Sequence, residues 1–283
     1  MSKIINGKEC AQILNTNLKN SIKQLKVKRK PKLIIIQIGN NLASNKYIKN
    51  KLKACDEVGI IGELKKFDEN IDKNSLKLEI EKINKNLSID GLIVQLPLPS
   101  HIDEKEITNF ISPSKDVDGF NALTLGNIML NNSKIYPATP LGILKLLEWK
   151  DIDLSGKNVV IIGRSNIVGK PLTNMLINKS ATVTTCNTKT KNLKDICKKA
   201  DILISAAGRA NLVTKKFVNK NMTVIDVGAN FVNGKYCGDV KFNEVSKIVK
   251  YITPVPGGVG PMTIACLLQN TFTLYKIKET NLK

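Results

Sequence analysis

The chain has 283 residues, 42% of them hydrophobic and 24% charged, with a formal net charge of +20. At one domain per roughly 150 residues this composition suggests two globular domains. The longest apolar runs, such as Leu33–Ile36 and Leu92–Val94, fall far short of the roughly 18 residues of a membrane span. The polar segment Met1–Cys10 has no signal-peptide apolar core, so a cytoplasmic enzyme or binding protein is expected, with no membrane partner. The one histidine, His101, excludes a multi-histidine metal site. The six cysteines form no Cys-x-x-Cys pair, which argues against zinc ribbons and thioredoxin chemistry. They read as reduced thiols, and no metal is expected. The positive charge does not imply nucleic acid. Only Arg29, Arg164 and Arg209 of the 44 basic residues are arginine, whereas bidentate base reading favours arginine. Apart from a cluster at 26–32 the lysines are spread along the chain and read as a solvated coat, whose field can attract an anionic small substrate.

In chain order, Asn6 followed by Glu9 is the pattern of a capping box, with Leu14, Leu18, Ile22 and Leu25 at helical spacing behind it. Leu33–Ile38 reads as a buried strand closed by Gly39, and Ala43–Val58 as a helix ended by Gly59. A strand near Glu63–Phe67, a helix near Ser75–Leu87 and a buried strand Gly91–Leu96 follow. Ser112–Ser133 is rich in turn residues. After a helix at Pro140–Trp149, strands are expected near Val159–Ile162, Thr182–Cys186, Ile202–Ser205 and Thr223–Val227, with a last helix at about Pro261–Ile277. Strand–helix alternation of this kind marks parallel α/β layers. The domain change is placed near residue 140.

The segment from Asn158 to Pro171 is strand, glycine turn, helix. Gly163 and Gly169 let the backbone approach a phosphate at a helix N-terminus. It is not a P-loop, because five residues separate the glycines and Pro171 follows Lys170. It departs from G-x-G-x-x-G as well, with Ser165 at the second glycine and Gly169 one position late. An NAD site places an acid roughly 20 residues on, against the ribose 2′-hydroxyl. Here the strand ends Cys186-Asn187-Thr188-Lys189. Arg164, Thr188 and Lys189 suit a 2′-phosphate, so NADP is expected over NAD.

Tyr47 and Lys51 stand at i and i+4 and share a helix face. With Lys46, Lys49 and Lys53 alongside, the same spacing also describes a solvated lysine face. Tyr-x-x-x-Lys is the pair of short-chain dehydrogenases, but there the dinucleotide turn comes first; here the pair precedes it, which points to a separate N-terminal catalytic domain. Gln95 ends a buried strand, where α/β sites gather. Lys115-Asp116-Val117-Asp118-Gly119 sets two carboxylates beside a glycine turn. Pro254–Pro261 reads as a rigid glycine-lined wall before the last helix. His101, after Pro99-Ser100, reads as a surface or capping residue.

These segments together resemble the bifunctional methylenetetrahydrofolate dehydrogenase/cyclohydrolase family. The matches are Tyr47–Lys51 and its continuation to Cys55, Val94–Pro99, Lys115–Gly119, Pro137-Ala-Thr139-Pro140, Gly163–Gly169, Ile225–Gly228 and Pro254–Thr263, in family order across nearly the whole chain. The resemblance implies an N-terminal α/β catalytic domain, residues 1–139 with the C-terminal helix 261–283 packing back, and a Rossmann-like NADP-binding domain, residues 140–260, with a cleft between them. It implies NADP-dependent oxidation of 5,10-methylenetetrahydrofolate to the methenyl compound, then hydrolysis to 10-formyltetrahydrofolate, in a cytoplasmic homodimer feeding purine biosynthesis. Lys51 would be the key residue of hydrolysis, Tyr47 would stack on the folate, Gln95 would tune the lysine and Asp118 would anchor the pterin. Val94, Leu96, Pro256, Gly257, Gly258, Val259 and Gly260 would line the folate pocket. Gly163, Arg164, Ser165, Thr188, Ala229 and Thr139 would contact NADP.

The chain departs from the family pattern at Asn187-Thr188 for His-Ser, at Thr124–Asn127 for Asn-x-Gly-Arg, at Ala138 for Cys and at Ala229 for Ile. The rival readings are a shikimate-dehydrogenase-like enzyme, which leaves the Val-Gln-Leu-Pro and Pro-Gly-Gly-Val-Gly-Pro segments unaccounted for, a basic nucleic-acid-binding protein, and a family member with only one of the two activities.

Overall fold

The computed structural model describes residues 3–25, 29–232 and 234–281, so part of the lysine cluster at 26–32 lies outside the described residues. The chain divides into two compact units, one of residues 1–12 and 139–263, the other of 13–138 and 264–283. It opens on a two-residue strand β1 (Lys3–Ile4) and helix α1 (Gly7–Lys23). Asn6 Oδ1 accepts from the Lys8 and Glu9 amides at 3.1 and 3.4 Å, the capping read from the sequence.

The second unit is built on β2 (Lys32–Ile38), α2 (Leu42–Val58), β3 (Ile61–Phe67), α3 (Lys73–Lys85), β4 (Gly91–Val94), α4 (Glu104–Phe110) and α5 (Ala122–Met129). Its sheet is three-stranded and wholly parallel, in the order β3-β2-β4. The central strand is the most apolar run, and Leu33–Ile36 are at most 1% exposed, as a strand covered on both faces requires. Ile34, Ile36, Ile80, Ile83, Leu92 and Ile107 share one core cluster. Helix α2 is fixed at both ends. Asn41 accepts from the Ser44 amide, and Gly59, at φ +90°, donates to Cys55 O and Asp56 O. Those ends set which face of α2, and hence Lys51, turns inward. Within the segment 112–133, read as turn-rich, α5 forms because Asn121 caps it and Thr124 and Ile128 are buried. Strand β4 stops at Val94, two residues short of the expected end, and the Gln95 amide still donates to Ile36 O at 2.9 Å.

A carboxylate with no exposed side-chain surface anchors this unit. Asp90 takes Arg29 Nη1 at 2.6 Å and Nη2 at 3.0 Å, the Lys32 amide at 2.9 Å, and Lys278 Nζ. Without the carboxylate Arg29 keeps Glu279 and Lys278 keeps the Leu87 and Ile89 carbonyls, but the Lys32 amide loses its acceptor and both cations lose a charge-assisted bond, at a cost of about 1–3 kcal/mol. Asp90→Ala is therefore expected to lower the urea midpoint of unfolding by an amount in that range, with little change in slope. A midpoint within experimental error of the wild type would contradict this.

The remaining elements are α6 (Ala138–Trp149), β5 (Asn158–Ile162), α7 (Gly169–Ile177), β6 (Thr182–Cys186), α8 (Leu193–Lys198), β7 (Ile202–Ser205), β8 (Thr223–Asp226), β9 (Asn230–Val232), β10 (Lys235–Cys237), α9 (Phe242–Val245), β11 (Tyr251–Ile252) and α10 (Val259–Asn281). The first unit carries a six-stranded parallel sheet in the order β6-β5-β7-β8-β11-β1. Its first five strands follow the doubly wound order 2-1-3-4-5. The chain reverses direction across the sheet between β5 and β7, and ligands bind outside the carboxyl ends of strands at such a switch point.

The expected division at 1–139 assigns the first residues to the catalytic half. Instead Lys3 and Ile4 pair with Tyr251 and Ile252, and the segment through Gln12 belongs to the first unit. The antiparallel hairpin β9–β10 has no counterpart among the expected elements. From Ile264 on, α10 belongs to the second unit, where Asn270 Nδ2 donates to Val117 O and Tyr136 O at 2.8 Å each. None of the six cysteines forms a disulfide, and five are buried. No helix among the described residues is long and apolar enough to cross a membrane.

Candidate functional site

In the second unit, Tyr47, Lys51, Gln95 and Asp118 come together. Lys51 is 4% exposed, so the solvated lysine face is excluded for this residue, while Lys46, Lys49 and Lys53 remain exposed. Its Nζ donates to Gln95 Oε1 at 3.0 Å and lies 5.4 Å from the centroid of the Tyr47 ring. Gln95 Nε2 donates to Leu96 O at 2.8 Å. That second bond fixes the orientation of the amide, so its oxygen faces the lysine. Burial pushes the Lys51 ammonium below the ordinary lysine pKa, and the Asp118 carboxylate and the Cys55 thiolate form pull the other way. Asp118 is displaced in the opposite sense: burial raises it, and Lys51 restrains the rise. The buried Cys55 thiol is pushed up to about 12, chiefly by burial, and stays a neutral neighbour. A buried amine held by a neutral acceptor and partly balanced by one carboxylate gives up its proton more readily than an ordinary lysine.

The loop bearing Asp118 is built by residues the sequence reading did not single out individually. Asp116 is 1% exposed; its Oδ1 accepts from the Gly119 amide at 2.9 Å and its Oδ2 from the Asn121 amide at 2.7 Å. Burial pushes its carboxyl up to about 7. The neighbouring Lys115 is also buried, and Nζ donates to Ile83 O at 2.6 Å and to Asn86 O. It adds a charged donor to two carbonyls at the C-terminus of α3 that already accept from the Asn86 and Ile89 amides. Gly119, at φ +74°, has Pro137 N where a Cβ would lie 2.7 Å away. The two carboxylates of Lys115–Gly119 thus divide their work: Asp116 braces the turn, and Asp118 faces Lys51. Val94 is buried and Leu96 half-buried beside Gln95.

In the first unit, Gly163 follows β5 at φ +128°, and an added Cβ would lie 2.2 Å from Ala206 O. The glycine lets the turn press against the end of β7. Ser165 Oγ accepts from the Val168 amide at 3.1 Å and from the Gly169 amide at 3.5 Å, standing in for a cap at the start of α7. Among the described residues the amides of 164–167 have no protein acceptor. At the end of β6, Asn187 closes a turn, with Oδ1 accepting from the Lys189 amide at 2.9 Å, and Thr188 and Lys189 are exposed along with Arg164. No acid stands there. Free amides at a helix start, three exposed polar or cationic side chains and a missing acid fit a dinucleotide bearing a 2′-phosphate.

Ala229 is exposed just after β8. Thr139, at the start of α6, shares a 2.9 Å hydrogen bond with Thr263 of α10. Pro256–Gly260 also fall in the first unit, whereas Lys51 and its neighbours lie in the second. Gly257 O accepts from the Lys8 amide at 3.2 Å, and a Cβ on Gly7 would lie 1.8 Å from Gly258 O. His101 is exposed, with Nε2 3.0 Å from Ile71 O, a surface contact.

Two descriptions of one family match the chain: "Tetrahydrofolate dehydrogenase/cyclohydrolase, catalytic domain" over residues 5–118 and "Tetrahydrofolate dehydrogenase/cyclohydrolase, NAD(P)-binding domain" over residues 137–279. The bifunctional protein FolD of Bacillus cytotoxicus is 49% identical over 270 residues, 95% of this chain and 94% of that one. Among solved structures, the FolD methylenetetrahydrofolate dehydrogenase/cyclohydrolase of Campylobacter jejuni matches with a TM-score of 0.96 and 46% identity, covering 98% of this chain and 99% of that chain. The methylenetetrahydrofolate dehydrogenase-cyclohydrolase of Trypanosoma brucei, solved with NADP and an inhibitor, matches with a TM-score of 0.94 and 33% identity over 98% of each chain.

Proposed function

The chain belongs to the tetrahydrofolate dehydrogenase/cyclohydrolase family, and from that premise we propose how its residues divide two consecutive reactions. The first is NADP-dependent oxidation of 5,10-methylenetetrahydrofolate to 5,10-methenyltetrahydrofolate. The second is hydrolysis of that product to 10-formyltetrahydrofolate. The observation that carries the reading is the buried Lys51 amine held on Gln95, with Tyr47 and Asp118 beside it.

The bridging carbon of the substrate lies between two nitrogens whose lone pairs stabilise the cation left by hydride loss. That step needs no strong base, and bound NADP supplies the hydride acceptor. The turn from Gly163 to Ser165, Arg164, Thr188, Ala229 and Thr139 would hold the cofactor, with Arg164 and Thr188 toward the 2′-phosphate. Hydrolysis differs, because it moves protons. Water adding to the methenyl carbon must lose a proton, and the C–N5 bond breaks only as N5 gains one. Neutral Lys51 has a lone pair for the first transfer, the resulting ammonium supplies the second, and the adduct's hydroxyl proton is released to water as the formyl C=O forms. Gln95 Oε1 takes one N–H and so sets where the lone pair points. Asp118 steadies the transient ammonium and, by the family resemblance, anchors the pterin. Tyr47 offers a ring to stack on it. Val94 and Leu96, beside Gln95, complete the proposed folate contacts of this unit. A cytoplasmic homodimer serving purine biosynthesis is the extension of this reading that the resemblance alone supports.

The test is the absorbance of methenyltetrahydrofolate formed from the methylene compound with NADP and, in parallel, with NAD. Product is expected with NADP and much less with NAD. Arg164→Ala should raise KM for NADP by about tenfold, the loss of one charge-assisted phosphate contact, while leaving KM for NAD within about twofold. NAD turnover equal to or above that with NADP would overturn the assignment of Arg164 and Thr188. No product with either coenzyme would overturn the dehydrogenase.

A further inference from the structure

The carboxyl ends of β7 and β8 are tied together by a buried carboxylate that the chemistry above leaves unused. Asp239, just beyond β10, is fully buried. Its Oδ2 accepts from Ser205 Oγ at 3.1 Å, the Ala207 amide at 2.7 Å and the Gly208 amide at 3.2 Å. Its Oδ1 accepts from the Arg209 amide and from Asn230 Nδ2, each at 2.9 Å. Four of these donors belong to the end of β7 and the loop after it. The fifth lies next to Ala229, after β8.

A second buried carboxylate holds this one in place. Asp226 Oδ1 takes the Gly228 and Asp239 amides and Oδ2 takes the Val240 amide, all at 2.9 Å. The packing leaves no room for side chains between them. A Cβ on Gly238 would lie 1.8 Å from Asp226 Oδ2, and one on Gly228 would lie 2.3 Å from the Asp239 amide nitrogen. A buried carboxylate that loses its hydration requires replacement donors, and Asp239 draws four from the end of β7 and the loop after it and the fifth from Asn230, which opens β9. The pinned segment is also the wall against which the glycine turn rests, since the Ala206 carbonyl occupies the space a side chain at Gly163 would need.

We propose that Asp239 is a positioning residue for NADP: its carboxylate holds the loops after β7 and β8 in the arrangement that receives the cofactor. This rests on the reading that the Gly163 turn and Ala229 bind NADP. Asparagine at 239 keeps the shape but turns one acceptor into a donor, so either the Ala207 and Gly208 amides or the Arg209 amide faces an N–H instead of an oxygen.

Asp239→Asn is tested by titrating the protein with NADP and by assaying methenyltetrahydrofolate hydrolysis without NADP. The NADP Kd should rise at least about tenfold, the scale of a lost hydrogen bond to a charged group, while hydrolysis stays within about twofold. A purely structural role would make both fall together, and an NADP Kd within twofold of wild type would overturn the proposal. If Asp239→Asn does not fold, Asn230→Ala removes one donor without touching the carboxylate. It should weaken NADP about threefold, and an unchanged Kd there would overturn the proposal too. Failure of the wild-type protein to bind NADP would instead sink the underlying cofactor assignment.

Discussion

Lys51→Met should lower the rate of methenyltetrahydrofolate hydrolysis by a factor of about 10² to 10⁴, the range that a positioned proton-transfer group contributes. Methionine keeps most of the stem's volume and removes only the amine, so the core around α2 stays filled. The Lys51 head makes one hydrogen bond, to Gln95, and sits in a site that disfavours its charged form. Its loss leaves Gln95 Oε1 without that donor and Asp118 without its counter-charge, so a modest fall in the thermal midpoint is expected, on the scale of one unmade buried hydrogen bond, about 1–3 kcal/mol, with the protein still folded. NADP binding, which involves the other unit, should be unaffected. The loss should appear in kcat for hydrolysis, measured as decay of the methenyl absorbance. Full hydrolysis by a folded Lys51→Met protein would remove this residue from the mechanism.

The second large effect is expected at Gly163. Alanine there meets two obstacles at once. The backbone sits at φ +128°, and the new Cβ would lie 2.2 Å from Ala206 O and 2.8 Å from Ala206 C. Neither atom can move without disturbing the parallel pairing of β5 with β7, which ends at Ile162 and Ser205. The turn must shift instead, and with it the amides offered to a phosphate. A displacement of about 1 Å in a positioning element costs on the order of 10²-fold. Gly163→Ala is thus expected to depress kcat/KM for the NADP-dependent reaction by about that factor while hydrolysis of supplied methenyl substrate persists. An unchanged KM for NADP would contradict the placement of the phosphate at this turn.

What the sequence makes legible follows from the range of the interactions. The β5–turn–α7 unit is local: an apolar run, a glycine that must adopt positive φ and a helix start lie within one short stretch. The pairing of Tyr47 with Lys51 is equally local, set by one helical turn. Gln95 stands out because an amide ends a run of buried residues. Other features depend on residues far apart and leave no such trace. Two residues of β1 give no sign that they will pair with β11, and their pairing carries the start of the chain into the first unit. Helix α5 is short and depends on Asn121, whose side chain also donates to Asn109 O and Ile111 O at 3.1 and 3.0 Å. Lys115 reads as one more solvated lysine, yet it is buried against the carbonyls that end α3. Asp239 belongs to no motif in the sequence, and only the fold brings Ser205 and Asn230 to it. Capping and buried-carboxylate contacts of this kind are specified by topology rather than by spacing.

The central claim is that burial makes Lys51 a proton-transfer group, and the pH dependence of hydrolysis at saturating substrate tests it most directly. Because burial lowers the Lys51 pKa, the neutral amine should accumulate, and the rate should rise, at a pH below that of an ordinary lysine. Asp118 favours the ammonium. Asp118→Asn should therefore move that ascending limb to still lower pH, even as it weakens folate binding. A limb at the ordinary lysine pKa, or one that stays put in Asp118→Asn, would contradict the account.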